Sequence, residues 1–218
     1  MIKTHEPLQV AIVALSGRGK TFSFRNCNPD NFGFINAENK PLPFENKFKF
    51  YEKPSTWQEM VKSLIDFGKN EEVDAVGFDS MSAYLDDLMD YCLKTKSGYE
   101  IYNLYNAEVG KFLKLIKRYP KNIFVTAHYE STENEDGVME VHIKTKGKGW
   151  KGQIEREFTA VMFAEAKMAD GDNREYYFNL NSDGRTSAKT PPYLFGEGVS
   201  KVPNDVNEVL IKIKEKQT

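Results

Sequence analysis

The chain is poor in the residues that staple or cross-link small folds. Two cysteines, Cys27 and Cys92, occur in 218 residues. They are too few for a disulfide framework and lack metal-ligand spacing. Histidine is nearly as scarce, at three, and neither His5 nor His142 sits in a pattern that suggests a metal. No stretch approaches the roughly 18 consecutive apolar residues of a membrane helix. The opening MIKTHEPLQV is not a charged-then-apolar leader. An excess of one charge is also missing: 30 Lys and Arg face 32 Asp and Glu, for a net charge of -2. That balance argues against a general polyanion coat and confines any nucleic-acid contact to a local patch. Together these absences argue against a membrane protein, a secreted protein, a zinc module and a disordered chain, and leave a reducing cytoplasm as the expected setting.

What is present suits a packed α/β chain. Hydrophobic residues make up 40% and aromatics 13%, enough for one core, and the expectation is a single domain over 1–218. Short apolar runs at 8–15, 31–37, 73–78 and 122–127 read as buried strands. Residues 21–26 are expected to continue as a helix after the first strand. Residues 40–51 read as an extended loop. A helix capped by Ser55 or Thr56 carries Trp57, Met60, Val61, Leu64 and Ile65 on one face. A second, capped by Ser80 or Ser82, runs to about Leu93. A third carries Ile101, Tyr105, Val109, Phe112 and Ile116 and ends before Pro120. Tyr102 and Tyr119 are expected to pack on helical faces with Tyr105 and Phe112.

Residues 130–137 read as an acidic turn. Met139, Val141 and Ile143 alternate with polar residues, the period of a half-exposed strand. Residues 159–164 and 175–180 read as two late strands. Val202, Val206, Val209, Leu210 and Ile213 outline a last helix, with Lys212–Lys216 suiting its C-terminal dipole. Early alternation of strand and helix implies a mostly parallel sheet flanked by helices, with a mixed or antiparallel C-terminal extension.

The sharpest local signal is Ala14-Leu-Ser-Gly-Arg-Gly-Lys-Thr21. It fits the phosphate-binding loop G-x-x-x-x-G-K-[ST] between a strand and a helix, with Ala14 in place of the first glycine. Phosphate needs a concave row of backbone N–H groups, which glycines allow the chain to form. Ser16, Gly17, Arg18, Gly19, Lys20, Thr21 and Phe22 are the expected nucleotide-binding residues. Lys20 meets the β- and γ-phosphates, and the Thr21 hydroxyl ligates Mg2+. Ala14 is tolerable only at negative φ. Asp79, closing the run VDAVGF, is the acidic residue a Mg2+ shell requires at a neighbouring strand end. Its other reading is a cap for the following helix, a place Ser80 could fill equally well.

Three segments together resemble the RecA-like ATPase core: SGRGKT, the strand end FINAEN at 34–39, and VGFDSMSAY at 76–84. NIFVTAH at 122–128 fits the fourth strand of that core. The order and spacing are similar to short phage-encoded ATPases used in recombination and annealing. The resemblance implies a P-loop fold, ATP and Mg2+. It implies that Glu38 polarises the attacking water and that His128 senses the γ-phosphate, a place usually held by Gln. It also implies a basic finger reaching a neighbouring subunit, with Arg185 and Lys189 as candidates, and self-association into a ring or filament. An ordinary β-turn would explain those two residues as well.

The RecA-like recombinases hold single-stranded DNA on a mobile loop after the fourth strand. Here that region contains Lys144, Lys146, Lys148 and Lys151, interleaved with glycines and Trp150. Lysines can neutralise phosphates and an indole can stack on a base. The same segment reads equally as a solvated hairpin with Trp150 packed inward. Its first half is acidic, with Glu130, Glu133, Glu135 and Asp136. Residues 94–99 form a second candidate contact or a polar connector. Phe44, Phe48, Phe50 and Tyr51 could cover a nucleotide or form a subunit contact.

The resulting expectation is a Mg2+-dependent ATPase acting on single-stranded DNA in phage recombination, annealing or replication. It would work in the host cytoplasm, without a membrane, beside a replication or recombination partner. The competing readings are a nucleotide-dependent scaffold or loader without direct DNA contact, and a small-molecule kinase. Arginine is sparse between the strands, which disfavours the kinase.

Overall fold

The protein is described by a computed structural model covering residues 6–133, 137, 139–168 and 174–217. His5, Glu135 and Asp136 lie outside these described residues.

Four early apolar runs become parallel strands buried along their whole length: β1 (Gln9–Val13), β2 (Phe32–Asn36), β4 (Ala75–Asp79) and β5 (Asn122–Ala127). Continuous apolar runs suit strands covered on both faces. β3 (Phe50–Glu52) adds an edge strand that takes up the end of the segment expected to be a loop. After the hairpin of β6 (Tyr129–Glu133) and β7 (Met139–Ile143) come β8 (Ala160–Met168), β9 (Arg174–Asn179) and β10 (Lys201–Pro203). The main sheet has eight strands in the order β10-β9-β8-β1-β5-β4-β2-β3. Every pair from β8 to β3 is parallel, whereas β9 and β10 pair antiparallel. The architecture is therefore α/β, a mostly parallel sheet with an antiparallel C-terminal edge.

Helices α1 (Trp57–Lys69), α2 (Met81–Thr95) and α3 (Glu100–Lys117) cover one face of the sheet. The short α4 (Pro192–Phe195) and α5 (Val206–Gln217) pack on the other. α1 begins with a reciprocal cap. The Thr56 hydroxyl accepts from Glu59 N–H, and the Glu59 carboxylate accepts from Ser55 N–H. Ser80 caps α2 by accepting from Ala83 N–H.

Several expectations change. The segment after the glycine loop is a single 3-10 turn, Thr21–Phe24, not a helix to residue 26. Asn26 turns aside to bond Asp205, at the start of α5. Ile65 leaves the buried face of α1, which is Met60, Leu64 and Phe67. Tyr102 is 45% exposed rather than packed. Half of the expected acidic turn is β6, paired with β7. Val202 belongs to β10, because an edge strand pairs with β9 before α5 can begin. Phe48 and Tyr51 stack on Phe34, and Phe50 meets Phe67. These rings wall the sheet edge and do not line the cavity beside the glycine loop. Among the described residues no helix is long and apolar enough to cross a membrane.

The helical layer is keyed by Tyr84 of α2 and Phe112 of α3, whose rings stack at 4.0 Å. Phe78 of β4 meets Phe112 at 5.5 Å, and all three are buried. Replacing Phe112 by Ala should cost about 3–5 kcal/mol. Urea unfolding should show a lower midpoint with an unchanged slope; an unaltered midpoint would refute this packing.

Candidate functional site

The site grows from the ends of β1, β5, β4 and β2, which parallel order brings to one edge. β1 delivers the glycine loop. Ala14 is buried, donates its N–H to Ala127 O, and is absent from the positive-φ positions, so the missing glycine is harmless. Gly17 and Gly19 do need their freedom, at φ of 75° and 88°. At Gly19 an added Cβ would also meet the Tyr176 ring at 2.7 Å.

Lys20 curls back under this loop. Its ammonium donates to Ala14 O at 3.0 Å, Leu15 O at 3.1 Å and His128 Nδ1 at 3.2 Å. Burial lowers its pKa to about 8, against the pull of Asp79 and Glu38. Donation to Nδ1 places the proton of a neutral His128 ring on Nε2, which faces Glu38 Oε1 at 3.7 Å. The His128 backbone N–H is held by Ser82 Oγ. β5, which ends just before His128, lies between β1 and β4, so His128 falls naturally between the lysine and the carboxylate.

Asp79 ends β4 as a fully buried carboxylate. Thr21 Oγ1 donates to it at 2.7 Å and Thr126 Oγ1 donates to its other oxygen. Burial raises its pKa, while the two hydroxyls oppose that rise. The Asp79–Ser80 peptide is cis. Asp79 O accepts from both Ala37 N–H and Glu38 N–H, which fixes Glu38 one strand over. Glu38 is held well below the ordinary carboxylate range, first by His128 and then by Lys40 and Ser80, against its partial burial.

These groups line one cavity of about 360 Å3. Ser16, Gly17, Gly19, Lys20, Thr21, Phe22, Glu38, Asp79 and His128 all reach it, so the expected phosphate, metal and water-facing residues converge. The oxygens of Thr21 and Asp79 are the hard donors a Mg2+ ion takes, and they already lie within hydrogen-bond distance of each other. The set fits such an ion. Arg18 does not line the cavity. Its guanidinium is drawn to Ala166 O at 2.8 Å. Arg185 and Lys189 do not line it either. Arg185 is exposed on a turn organised by Asp183, and the Lys189 backbone pairs with Val161 of β8.

Several lining residues had no sequence signal. Tyr176 of β9 arrives from far along the chain and meets Phe22 at 5.7 Å. Pro41, Leu42 and Pro43 form the apolar end. Ser80, legible as a cap, also donates to Glu38 at 2.9 Å. Lys40, two residues past Glu38, bonds it at 2.8 Å.

The lysine-rich segment lies along α3. Gly147 sits against Tyr102, Gly149 against Asn106 and Trp150 against Gly110. Trp150 donates its indole N–H to Asn106 O at 3.1 Å. Its ring is half-buried, which corrects the picture of a free stacking surface: the gap at Gly110 admits it. Lys146 pairs with Asp86 at 2.7 Å. Lys144, Lys148 and Lys151 are exposed.

The depressed Lys20 value carries a stability consequence. The folded chain releases this proton near pH 8 and the unfolded chain near 10.5. Across that window the unfolded state binds more protons, so stability rises with pH. Nucleotide-free protein should gain up to roughly 3 kcal/mol there relative to Lys20→Met. Urea curves at either end of the window test this, and a constant difference between the two proteins would contradict it.

Comparison with known proteins adds three findings. A KaiC-like protein of the hyperthermophilic archaeon Pyrococcus horikoshii OT3 superposes with a TM-score of 0.47 at 11% identity, over 87% of this chain and 91% of that one. Curated proteins give no match. The AAA domain family model matches residues 6–191. With the glycine loop, both carboxylates and nearly the whole sheet inside that match, the chain belongs to the AAA domain family.

Proposed function

We propose that the chain is a Mg2+-dependent ATPase that works on single-stranded DNA. The observation that carries the reading is the convergence of Lys20, Thr21, Asp79, Glu38 and His128 on one cavity. Phosphates would lie along the Gly17–Thr21 backbone, against Lys20. The apolar end, with Pro41, Leu42, Pro43, Phe22 and Tyr176, suits a nucleobase. Thr21 and Asp79 would hold Mg2+, which neutralises phosphate charge when bound.

Hydrolysis needs a water aligned with the γ-phosphorus. Its oxygen bonds phosphorus as the bridging bond to ADP breaks, and ADP keeps that electron pair. Glu38, held far below its ordinary pKa, is a weak base and would orient the water rather than store its proton. A phosphate oxygen would take the proton. His128 would read the γ-phosphate from beside Lys20. Its carbonyl accepts from Lys144 N–H at 2.9 Å, so a shift at His128 passes directly to the lysine-rich segment. We assign Arg185 and Lys189 to a finger acting on a neighbouring subunit in a ring or filament. The exposed turn supports this for Arg185. The whole of 1–218 is taken as one working unit.

For DNA, Lys148 and Lys151 are the proposed phosphate contacts, with Lys144 beside them. Tyr99 is 80% exposed and Tyr102 lies against Gly147, so these rings replace Trp150 as the proposed stacking surface. Recombination, annealing or replication in a phage-infected cytoplasm is the setting that this combination suits. The inward Trp150 and the Lys146–Asp86 pair favour the second reading, a nucleotide-driven scaffold or loader without DNA contact.

Lys20→Ala should abolish phosphate release while the circular dichroism spectrum is retained; continued turnover would defeat the ATPase reading. Fluorescence polarisation of a labelled single strand separates the two duties. The Lys148→Ala, Lys151→Ala double variant should flatten the log affinity against log salt slope by about 1.4. Tyr99→Ala should weaken binding by about 1–3 kcal/mol with the slope unchanged. No binding by the wild type at low salt would leave the scaffold reading.

A further inference from the structure

We propose that Lys40 is a movable cation that holds Glu38 while the terminal phosphate is absent and transfers to that phosphate when a triphosphate binds. The inference rests on the nucleotide reading of the cavity and adds a residue and a selectivity to it.

Both Glu38 oxygens are engaged. Oε1 accepts from Ser80 Oγ at 2.9 Å and faces His128 Nε2 at 3.7 Å. Oε2 accepts from Lys40 Nζ at 2.8 Å. A carboxylate occupied in this way has little room to align a water, so one partner must leave. Ser80 is pinned as the cap of α2. His128 is pinned by Ser82 at its backbone and by Lys20 at its ring. Lys40 alone of the three combines a fixed root with a free stem.

The root is fixed by the turn that follows β2. Buried Asn36 donates its amide to Lys40 O at 2.7 Å and to the Tyr51 hydroxyl at 2.8 Å. Asn39 takes a positive φ of 57° and donates to Pro54 O at 2.6 Å. The Lys40 side chain, by contrast, is 75% exposed. It lines the same cavity as Lys20, close enough for the two charges to repel. A triphosphate tail carries several negative charges where Glu38 carries one. Its arrival at Lys20 offers the Lys40 ammonium the stronger partner. A diphosphate lacks the outermost group and leaves Lys40 on Glu38. The chain would thereby couple release of its water-orienting carboxylate to the presence of the group to be hydrolysed.

Calorimetric titration with a non-hydrolysable ATP analogue and with ADP tests this on the full chain with Mg2+. Lys40→Met should weaken the ATP analogue about tenfold and leave ADP within about twofold, consistent with loss of one charge-assisted contact. Lys40→Arg should restore most of the difference. Equal losses for both nucleotides, or no loss for either, would overturn the assignment. If wild type binds neither nucleotide, the nucleotide reading falls and takes this one with it. If wild type binds both and Lys40→Met keeps the wild-type ratio, only the Lys40 proposal fails.

Discussion

A carboxylate taken wholly out of water at the end of β4 is the constraint on which the site depends. Burial penalises the charge of Asp79, and unpaired it would be costly. Two threonine hydroxyls and the nearby Lys20 compensate. Those partners come from the glycine loop after β1 and from β5. Satisfying one buried charge therefore fixes the relative placement of three segments far apart in sequence. The Asp79 carbonyl extends the same economy to β2, accepting two N–H groups and setting Glu38 in place.

The electrostatics that follow set a buried cation beside two carboxylates. Lys20 is buried enough to lose much of its preference for the proton, although two carboxylates stand nearby. Its ammonium is held by the Ala14 and Leu15 carbonyl oxygens and a His128 ring nitrogen. Glu38 is saturated with donors. His128 lies against both groups. Because the His128 carbonyl also holds the first residue beyond β7, the chemistry and the exposed lysines share one backbone segment.

Several elements were legible in advance for local reasons. Buried parallel strands need unbroken apolar runs, and 8–15, 31–37, 73–78 and 122–127 have them. Two glycines at positive φ before Lys-Thr describe a curled loop whatever surrounds it. Trp150 was not settled by such reasoning. Lysines, glycines and an indole have one composition whether the ring faces a base or a helix. The difference is a missing side chain at Gly110 and a carbonyl at Asn106, neither of them near in sequence. Tyr102 erred in the opposite sense. Helical spacing marked it as buried, yet the glycine segment shields only part of it.

By itself the sequence determined the buried parallel strands and the three long helices between them, marked the glycine loop, and singled out two acidic residues and a histidine that the fold brings to one cavity. Each depends on periodicity, turn chemistry or residues a few positions apart. Tertiary structure decided which groups answer one another. Lys40 locks Glu38, Tyr176 closes on Gly19, Arg18 is diverted to Ala166, and Trp150 is docked on α3. These choices depend on strand order and on the space left between packed elements. Such pairings are settled only when burial forces each polar group to find a partner.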